Sequence, residues 1–192
     1  MPLHYAVLYG SVRTERKGIR AACFVVRQLE RRGHATTLVD PLELRLPLLD
    51  RMYKEYPKGA APPKLERLAA LYRTVDGFVI VSGEYNHGIP PALKNLLDHF
   101  LEEYFFRPAA IVCYSAGSFG GVRAAMQLRM TLAELGTVTI PSLLPIPKVQ
   151  DAFDEQGEPA DPAAERRAAR FLDELDWFAR ALQAARSGGT PY

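Results

Sequence analysis

The segment with the clearest chemical potential is a polar loop, Ser11 to Lys17, which lies between an apolar stretch and a helical pattern. It offers two hydroxyl groups and three cations, Arg13, Arg16 and Lys17. A helix begins nearby, and the free N–H groups of its first turn favour anions. The GxxxxGK[ST] pattern of a P-loop and the second glycine of the dinucleotide fingerprint are both missing. We therefore predict a phosphate site, with an exposed basic turn as the alternative, and a structural role for Asp40 at the end of the next strand.

Two further loops contain residues that form tight turns. Residues 83–90 (GEYNHGIP) include Tyr85, which can lie against a flat aromatic ring, and His87, which we interpret as a turn or subunit-contact residue rather than a base. Glu84 is either a surface carboxylate or a hydrogen-bonded anchor of the loop. Residues 115–121 (SAGSFGG) open a helix, and their glycines permit a ligand to approach the backbone closely. A tight turn alone explains this third loop equally well.

Strand and helix patterns alternate along the chain, which predicts a parallel sheet with helices on both faces. Ligands of such sheets bind beyond the carboxyl ends of the strands. The three loops follow strands one, three and four, so we expect them to meet at one edge. The predicted strands are Tyr5–Tyr9, Thr36–Val39, Gly77–Ser82, Ala109–Tyr114 and Thr137–Ile140, with a further extended stretch at Leu143–Ile146. The predicted helices run from Ile19 to a cap at Gly33, then Lys64–Thr74, Pro91–Leu101, Val122–Leu135 and Pro162–Arg186, and Pro41–Pro63 is a long irregular connection.

Composition restricts the class of protein. The chain has 192 residues and a net charge of +2, a balance that argues against a dedicated nucleic-acid binder. No apolar run is long enough to span a membrane, and the first residues lack a charged leader and a cleavage site, so we expect a cytoplasmic protein. Cys23 and Cys113 lie in apolar periodic segments, which favours core cysteines, and no His/Cys cluster has metal-site spacing. We expect one domain over residues 1–186 and a flexible tail over 187–192.

The three loops together resemble the NADPH-dependent FMN reductase family of flavodoxin-like proteins, which also includes quinone, azo-dye and chromate reductases. The first loop reads GSVRTERKG and is similar to the family's G-S-x-R phosphate loop. The second reads EYNHGIPPALKNLLDHF and is close to the long, specific stretch P-E-Y-N-H-S-I-P-G-A-L-K-N-A-L-D. The third reads SAGSFGGVRAAMQLRMTLAELG and resembles S-x-G-x-x-G-G-x-R-x-x-x-Q-L-R. Over about residues Tyr5 to Pro147, the resemblance implies a flavodoxin-like three-layer α/β sandwich, with a five-stranded parallel sheet in the order 2-1-3-4-5.

Carried over position by position, the resemblance implies where FMN binds. Ser11 and Arg13 would hold the phosphate, helped by Arg16 and the backbone around Gly18 and Ile19. The start of the third-loop helix would favour negative charge at the pyrimidine edge of a reduced flavin. The remaining implied residues are Glu84, Tyr85, Asn86 and His87 along the isoalloxazine ring, Ser115 and Gly117 at its pyrimidine edge, and Phe119, which either shapes acceptor access or is a core aromatic.

The chain departs from the family pattern at four positions, two of which are Gly88 and Pro91, where serine and glycine are common. Gly83 replaces the usual proline, and Gly18 replaces the usual serine, which removes one phosphate hydroxyl. Arg16 and Lys17 are expected to compensate. These departures affect the expected flavin affinity more than the presence of a flavin.

The resemblance implies an FMN-dependent oxidoreductase that passes hydride from NADPH or NADH, via FMN, to small acceptors such as quinones, azo compounds, free flavin or metal oxyanions. The flavin supplies the chemistry, so no side chain is assigned as catalytic and no metal is expected. The alternatives are a flavodoxin-type electron carrier and a flavin-binding redox regulator. A homodimer or homotetramer is also implied, since Lys94, Asn95 and Asp98 fall on the family's subunit-packing helix. The apolar side chains of Pro91–Leu101, with Tyr104, Phe105 and Phe106, form either a contact patch or part of the core.

Overall fold

A computed structural model describes residues 1–192 and contains five strands and seven α-helices. Tyr53–Glu55 and Glu102–Tyr104 form additional 3-10 turns. The strands are β1 (His4–Tyr9), β2 (Ala35–Val39), β3 (Gly77–Ser82), β4 (Pro108–Tyr114) and β5 (Val138–Ile146). The helices are α1 (Ile19–Arg31), α2 (Pro41–Leu44), α3 (Pro63–Thr74), α4 (Pro91–Asp98), α5 (Val122–Glu134), α6 (Val149–Ala152) and α7 (Ala163–Ser187).

All five strands are parallel and lie in the order β2-β1-β3-β4-β5, which confirms the predicted sheet. Alternate side chains of the strands enter two separate cores. Val7 and Val112 pack with α1 and α7 on one face, while Leu8 and Ile111 pack with α3, α4 and α5 on the other. The sheet therefore forms the middle layer of a flavodoxin-like sandwich. Strand order reverses beside β1, so the loops after β1 and β3 begin from neighbouring strands.

Most predicted elements are confirmed, with differences at their ends. The helix that begins at Pro91 stops at Asp98, because Leu101 leaves the helical region with φ −143°. Phe100 and Tyr104 nevertheless stay buried in the same core as the helix, and so the apolar spacing continues past its end. This burial confirms the core alternative for most of that segment. The two extended stretches after residue 136 form the single edge strand β5, which tolerates Pro141 and Pro145.

The connection after β2 contains more local structure than its composition predicts. Asp40 caps α2, since its carboxylate accepts a hydrogen bond from the amide of Leu42 at 2.9 Å. Asn95 of α4 accepts from the amide of Leu49 at 2.9 Å and donates to the carbonyl of Pro47 at 2.8 Å. These bonds fix the connection against α4. None of the helices combines the length and apolar composition that crossing a lipid bilayer requires.

Candidate active site

The loops after β1, β3 and β4 meet at the carboxyl edge of the sheet, where they enclose a cavity of about 270 Å³. This volume lies just below the range of about 300–1,000 Å³ that is typical of small-molecule pockets. Clefts of about 360 and 390 Å³ elsewhere on the surface are lined mainly by apolar residues. The loop cavity is lined mainly by charged and polar residues. Its lining residues are Ser11, Arg13, Glu15, Arg16, Lys17, Gly18, Gly83, Glu84, Tyr85, Tyr114, Ser115, Ala116, Val149 and Gln150.

Arg16 is held in place by buried partners beneath the first loop. Its guanidinium donates to the Asp40 carboxylate at 2.5 Å and to the carbonyl of Ser11 at 3.3 Å, and it lies over the ring of Tyr9. The Asp40 hydrogen bond raises the pKa of Arg16 above its ordinary value. Asp40 thus has the structural role predicted for it, and Arg16 contributes mainly to the shape and field of the loop.

The upper part of the same loop presents donors that have no partner within the chain. Arg13 and Lys17 are exposed and form no salt bridge. The backbone amides of Thr14, Glu15 and Arg16 make no intrachain hydrogen bond. Exposed cations and unpartnered backbone amides are the groups that bind phosphate in proteins.

The second loop is a tight turn. Tyr85 and Gly88 exchange backbone hydrogen bonds of 3.1 and 2.8 Å around Asn86 and His87, both in the left-handed region with φ of 50° and 65°. Both side chains are exposed and lie outside the lining of the cavity. His87 is therefore a turn residue in this chain. The Tyr85 hydroxyl points the other way and lies 3.5 Å from the Ser11 hydroxyl, which brings the first and second loops together.

Glu84 joins the second loop to the third. Its carboxylate accepts hydrogen bonds of 3.0 Å from the amides of both Arg123 and Ala124, in the first turn of α5. Glu84 is therefore the hydrogen-bonded anchor of its loop. The prediction that the start of this helix favours charge on a reduced flavin needs correction, because those two amides face Glu84. Earlier in the third loop, the amides of Ala116 and Gly117 have no intrachain partner.

The third loop is fixed by the segment that follows β5. The amides of Lys148 and Val149 donate to the carbonyls of Gly117 and Ser115 at 3.0 and 3.1 Å. Val149 and Gln150 thereby complete one wall of the cavity. The sequence pattern does not predict either residue, because the four-residue helix α6 is too short to show a helical period. The one available signal is that the carboxyl end of a fifth parallel strand must lie at the same edge.

Tyr114, the last residue of β4, lies beneath the first loop. Its ring is stacked on that of Tyr9, with centroids 6.4 Å apart, and its hydroxyl donates to the Tyr9 hydroxyl at 3.4 Å. Burial raises the pKa of the Tyr114 phenol well above its ordinary value, so the hydroxyl keeps its proton at neutral pH and can donate a hydrogen bond. A Cβ atom at Gly18 would lie 2.1 Å from Cζ of Tyr114, and one at Gly83 would lie 3.1 Å from the same ring. The two glycines make room for this tyrosine.

The cavity brings together most of the residues expected there. Five expected residues lie outside its lining: Ile19, Asn86, His87, Gly117 and Phe119. Ile19, the first residue of α1, packs against the core, and Gly117 accepts hydrogen bonds through its carbonyl. Phe119 is 62% exposed beneath the guanidinium of Arg123, so its interpretation as a core aromatic is wrong. The expected residues that do line the cavity are Ser11, Arg13, Arg16, Gly18, Glu84, Tyr85 and Ser115.

Comparison with known families agrees with this geometry. The model of the NADPH-dependent FMN reductase family matches residues 3–151, which include all three loops and the α6 wall up to Asp151. The chain belongs to this family. It is therefore an oxidoreductase, with FMN and NADPH or NADH as its cofactors.

Individual relatives differ in how much of the chain they cover. An NAD(P)H-dependent FMN reductase of Pseudomonas aeruginosa is 34% identical over 128 residues, which are 64% of this chain and 69% of the relative. A quinone reductase of Escherichia coli is 35% identical over 83 residues, 41% of this chain and 44% of that protein. The structure of FerB, a flavoenzyme NAD(P)H:(acceptor) oxidoreductase of Paracoccus denitrificans, superposes with a TM-score of 0.73 over 93% of this chain and 98% of its own. At 23% identity, it supports the fold alone.

The donor set in the reductase fits FMN. A phosphate needs cations and convergent donors, and the first loop offers Arg13, Lys17 and unpartnered amides. A flavin ring needs a flat neighbour and polar atoms along one edge, and the other loops offer Tyr85 and the unpartnered amide of Ala116, with that of Gly117 next to it in the chain. Gly18 and Gly83 also line the cavity, and their missing side chains leave the space that the Tyr114 ring occupies.

Proposed function

We propose that the three loops hold FMN and that the reductase passes electrons from NADPH or NADH to small acceptors such as quinones, azo compounds, free flavin or metal oxyanions. The observation that carries this proposal is the convergence of the three loops on one cavity, which is lined by two unpaired cations, Arg13 and Lys17, and by residues with unpartnered backbone amides. Bound FMN supplies a carrier that accepts hydride from the nicotinamide and releases the electrons to the acceptor.

The protein's own part in this proposal is binding and orientation. Arg13, Lys17 and the amides of the first loop hold the phosphate. The hydroxyls of Ser11 and Tyr85 provide polar contacts between the first and second loops. The amides of Ala116 and Gly117 donate to the polar edge of the ring. No side chain acts as a base, because hydride transfer itself moves no separate proton.

A spectral experiment tests the function. The purified protein, saturated with FMN, is mixed with NADPH or NADH under anaerobic conditions, and the visible flavin absorbance is followed without any protein partner. We expect rapid bleaching, followed by steady turnover when benzoquinone is added. Slow bleaching without turnover supports an electron carrier instead. A protein that stays colourless in excess FMN contradicts the proposal.

The phosphate assignment has its own test in Arg13→Ala. Arg13 has no partner to lose, so the variant should fold normally. A charge-assisted hydrogen bond contributes about 1.5–3 kcal/mol, so we expect FMN affinity to fall at least about tenfold. Riboflavin, which lacks the phosphate, should bind both proteins equally. Arg170→Ala, which removes another exposed and unpaired arginine on α7, serves as the matched control.

A homodimer or homotetramer is part of the proposal. Three apolar side chains that line the cleft of about 390 Å³ are exposed: Val12, Leu42 and Leu48, with Leu48 exposed by 83%. The start of α4 lines this cleft and is thus available for a subunit contact. Lys94 and Asp98 of the same helix form a salt bridge with each other within the chain. Light scattering after size exclusion should show an oligomer that Leu48→Lys weakens, and a monomeric native protein contradicts it. The two free cysteines fit a reducing compartment such as the cytoplasm.

A further inference from the structure

The hydroxyl of Tyr114 occupies the space where a side chain at position 18 would begin. A Cβ atom built on Gly18 would lie 2.5 Å from the Tyr114 hydroxyl oxygen and 2.1 Å from Cζ. Gly18 immediately precedes α1, and its carbonyl accepts the first hydrogen bonds of that helix, from Ala21 and Ala22. A phenol from β4 therefore delivers a hydroxyl to the amino end of α1, where the local backbone has no side chain.

The hydroxyl is also available for a new partner. Its hydrogen bond to the Tyr9 hydroxyl is long, at 3.4 Å, and the next bond, from Tyr9 to the carbonyl of Arg16, is equally long. The ring of Tyr114 lines the loop cavity together with Arg13 and Lys17. A phosphate oxygen accepts shorter and stronger hydrogen bonds than a neutral hydroxyl does.

We infer that Tyr114 is a positioning residue for the cofactor, whose hydroxyl donates a hydrogen bond to the phosphate of FMN in place of a hydroxyl on residue 18. This inference rests on the proposed function. It explains two departures from the family pattern together, because the same ring occupies the space beside both Gly18 and Gly83. Tyr114, at the end of a strand, thus supplies the hydroxyl that the first loop lacks at position 18.

Equilibrium titration of the flavin-free protein tests the inference by flavin fluorescence. Tyr114→Phe keeps the ring between the two glycines and removes only the hydroxyl. We expect FMN affinity to fall by about tenfold or more, and riboflavin affinity to stay within about twofold of the native value. Tyr72→Phe removes a fully buried hydroxyl in the opposite core and should leave both affinities unchanged.

A residue swap gives a second, independent test. Gly18→Ser alone places a Cβ atom inside the tyrosine ring, so we expect FMN binding to fail. Tyr114→Ser alone removes the ring and its hydroxyl. The double variant Gly18→Ser/Tyr114→Ser has room for the serine and regains a hydroxyl at position 18, so it should bind FMN at least about fivefold more tightly than Tyr114→Ser.

The outcomes separate this inference from the proposed function. Native protein that binds neither flavin contradicts the proposed function itself. Native protein that binds FMN tightly, with Tyr114→Phe unchanged, overturns only the role of Tyr114. An equal loss for FMN and riboflavin also overturns it, because the hydroxyl would then not contact the phosphate. If the double variant Gly18→Ser/Tyr114→Ser binds FMN no more tightly than Tyr114→Ser, the role of Tyr114 is overturned as well.

Discussion

Replacing Glu84 with alanine should uncouple the second and third loops. The carboxylate is 10% exposed and accepts two hydrogen bonds of 3.0 Å from the first turn of α5. Losing a helix cap costs about 0.5–2 kcal/mol, and a hydrogen bond to a charged group contributes about 1.5–3 kcal/mol. Because water reaches part of the vacated space, we expect a loss of about 2 kcal/mol rather than the full sum. For a chain of this length, Tm should fall by about 4–8 °C.

Thermal and urea unfolding measure this loss, and a flavin titration measures its effect on the site. Glu84→Gln keeps one acceptor oxygen and should lose about half as much stability. Glu134→Ala is the matched control, since Glu134 is an exposed carboxylate at the opposite end of the same helix. We expect that control to change stability by less than about 0.5 kcal/mol. Equal Tm values for Glu84→Ala and Glu134→Ala would refute the anchor, as would native FMN affinity in a destabilised Glu84→Ala.

Three further predictions concern the surroundings of the site. Asn95→Ala removes both hydrogen bonds to the 47–49 segment, so hydrogen exchange at the amide of Leu49 should accelerate at least about tenfold, and an unchanged rate contradicts the anchoring role. Burial raises the pKa of the Cys113 thiol to about 12. At pH 9 the folded chain should therefore react with a thiol reagent only at the half-buried Cys23. Rapid reaction of both thiols in the folded chain would contradict this. His87→Gly should retain quinone turnover. His87→Val should lose about 1–3 kcal/mol of stability, because a β-branched side chain is strained in the left-handed turn. Loss of turnover in the glycine variant would show that the His87 side chain takes part in function.

The sequence predicts secondary structure best where the local hydrophobic pattern matches the burial of the residues in the folded chain. The segment GFVIVS is a continuous apolar run, and β3 is buried along its whole length between two neighbours. Because parallel strands align their carboxyl ends, the order of strands and loops along the chain is enough to place three distant loops at one edge. Glu84 illustrates the limit of this reasoning. Its type and position leave two interpretations open, and only the packing of α5 against the second loop decides between them.

The remaining features depend on contacts between distant residues. In the sequence, Tyr114 ends an apolar run and therefore resembles an ordinary core residue. The residues next to it in the chain do not indicate that its ring reaches Gly18. The apolar spacing misplaces the end of α4, because Phe100 and Tyr104 continue the period through a non-helical backbone. The family resemblance assigns Asn86 to the ring, yet the turn directs its side chain to solvent. In each case the residue type is informative, and its direction is set by tertiary packing.

Hydrogen exchange with and without FMN tests most directly whether the three loops form one cradle. We expect slower exchange on FMN addition at the unpartnered amides of all three loops together, including Thr14 and Glu15 in the first and Ala116 and Gly117 in the third. Amides at the opposite edge of the sheet should not change. Protection confined to one loop, or located around a different cleft, would contradict a shared FMN site.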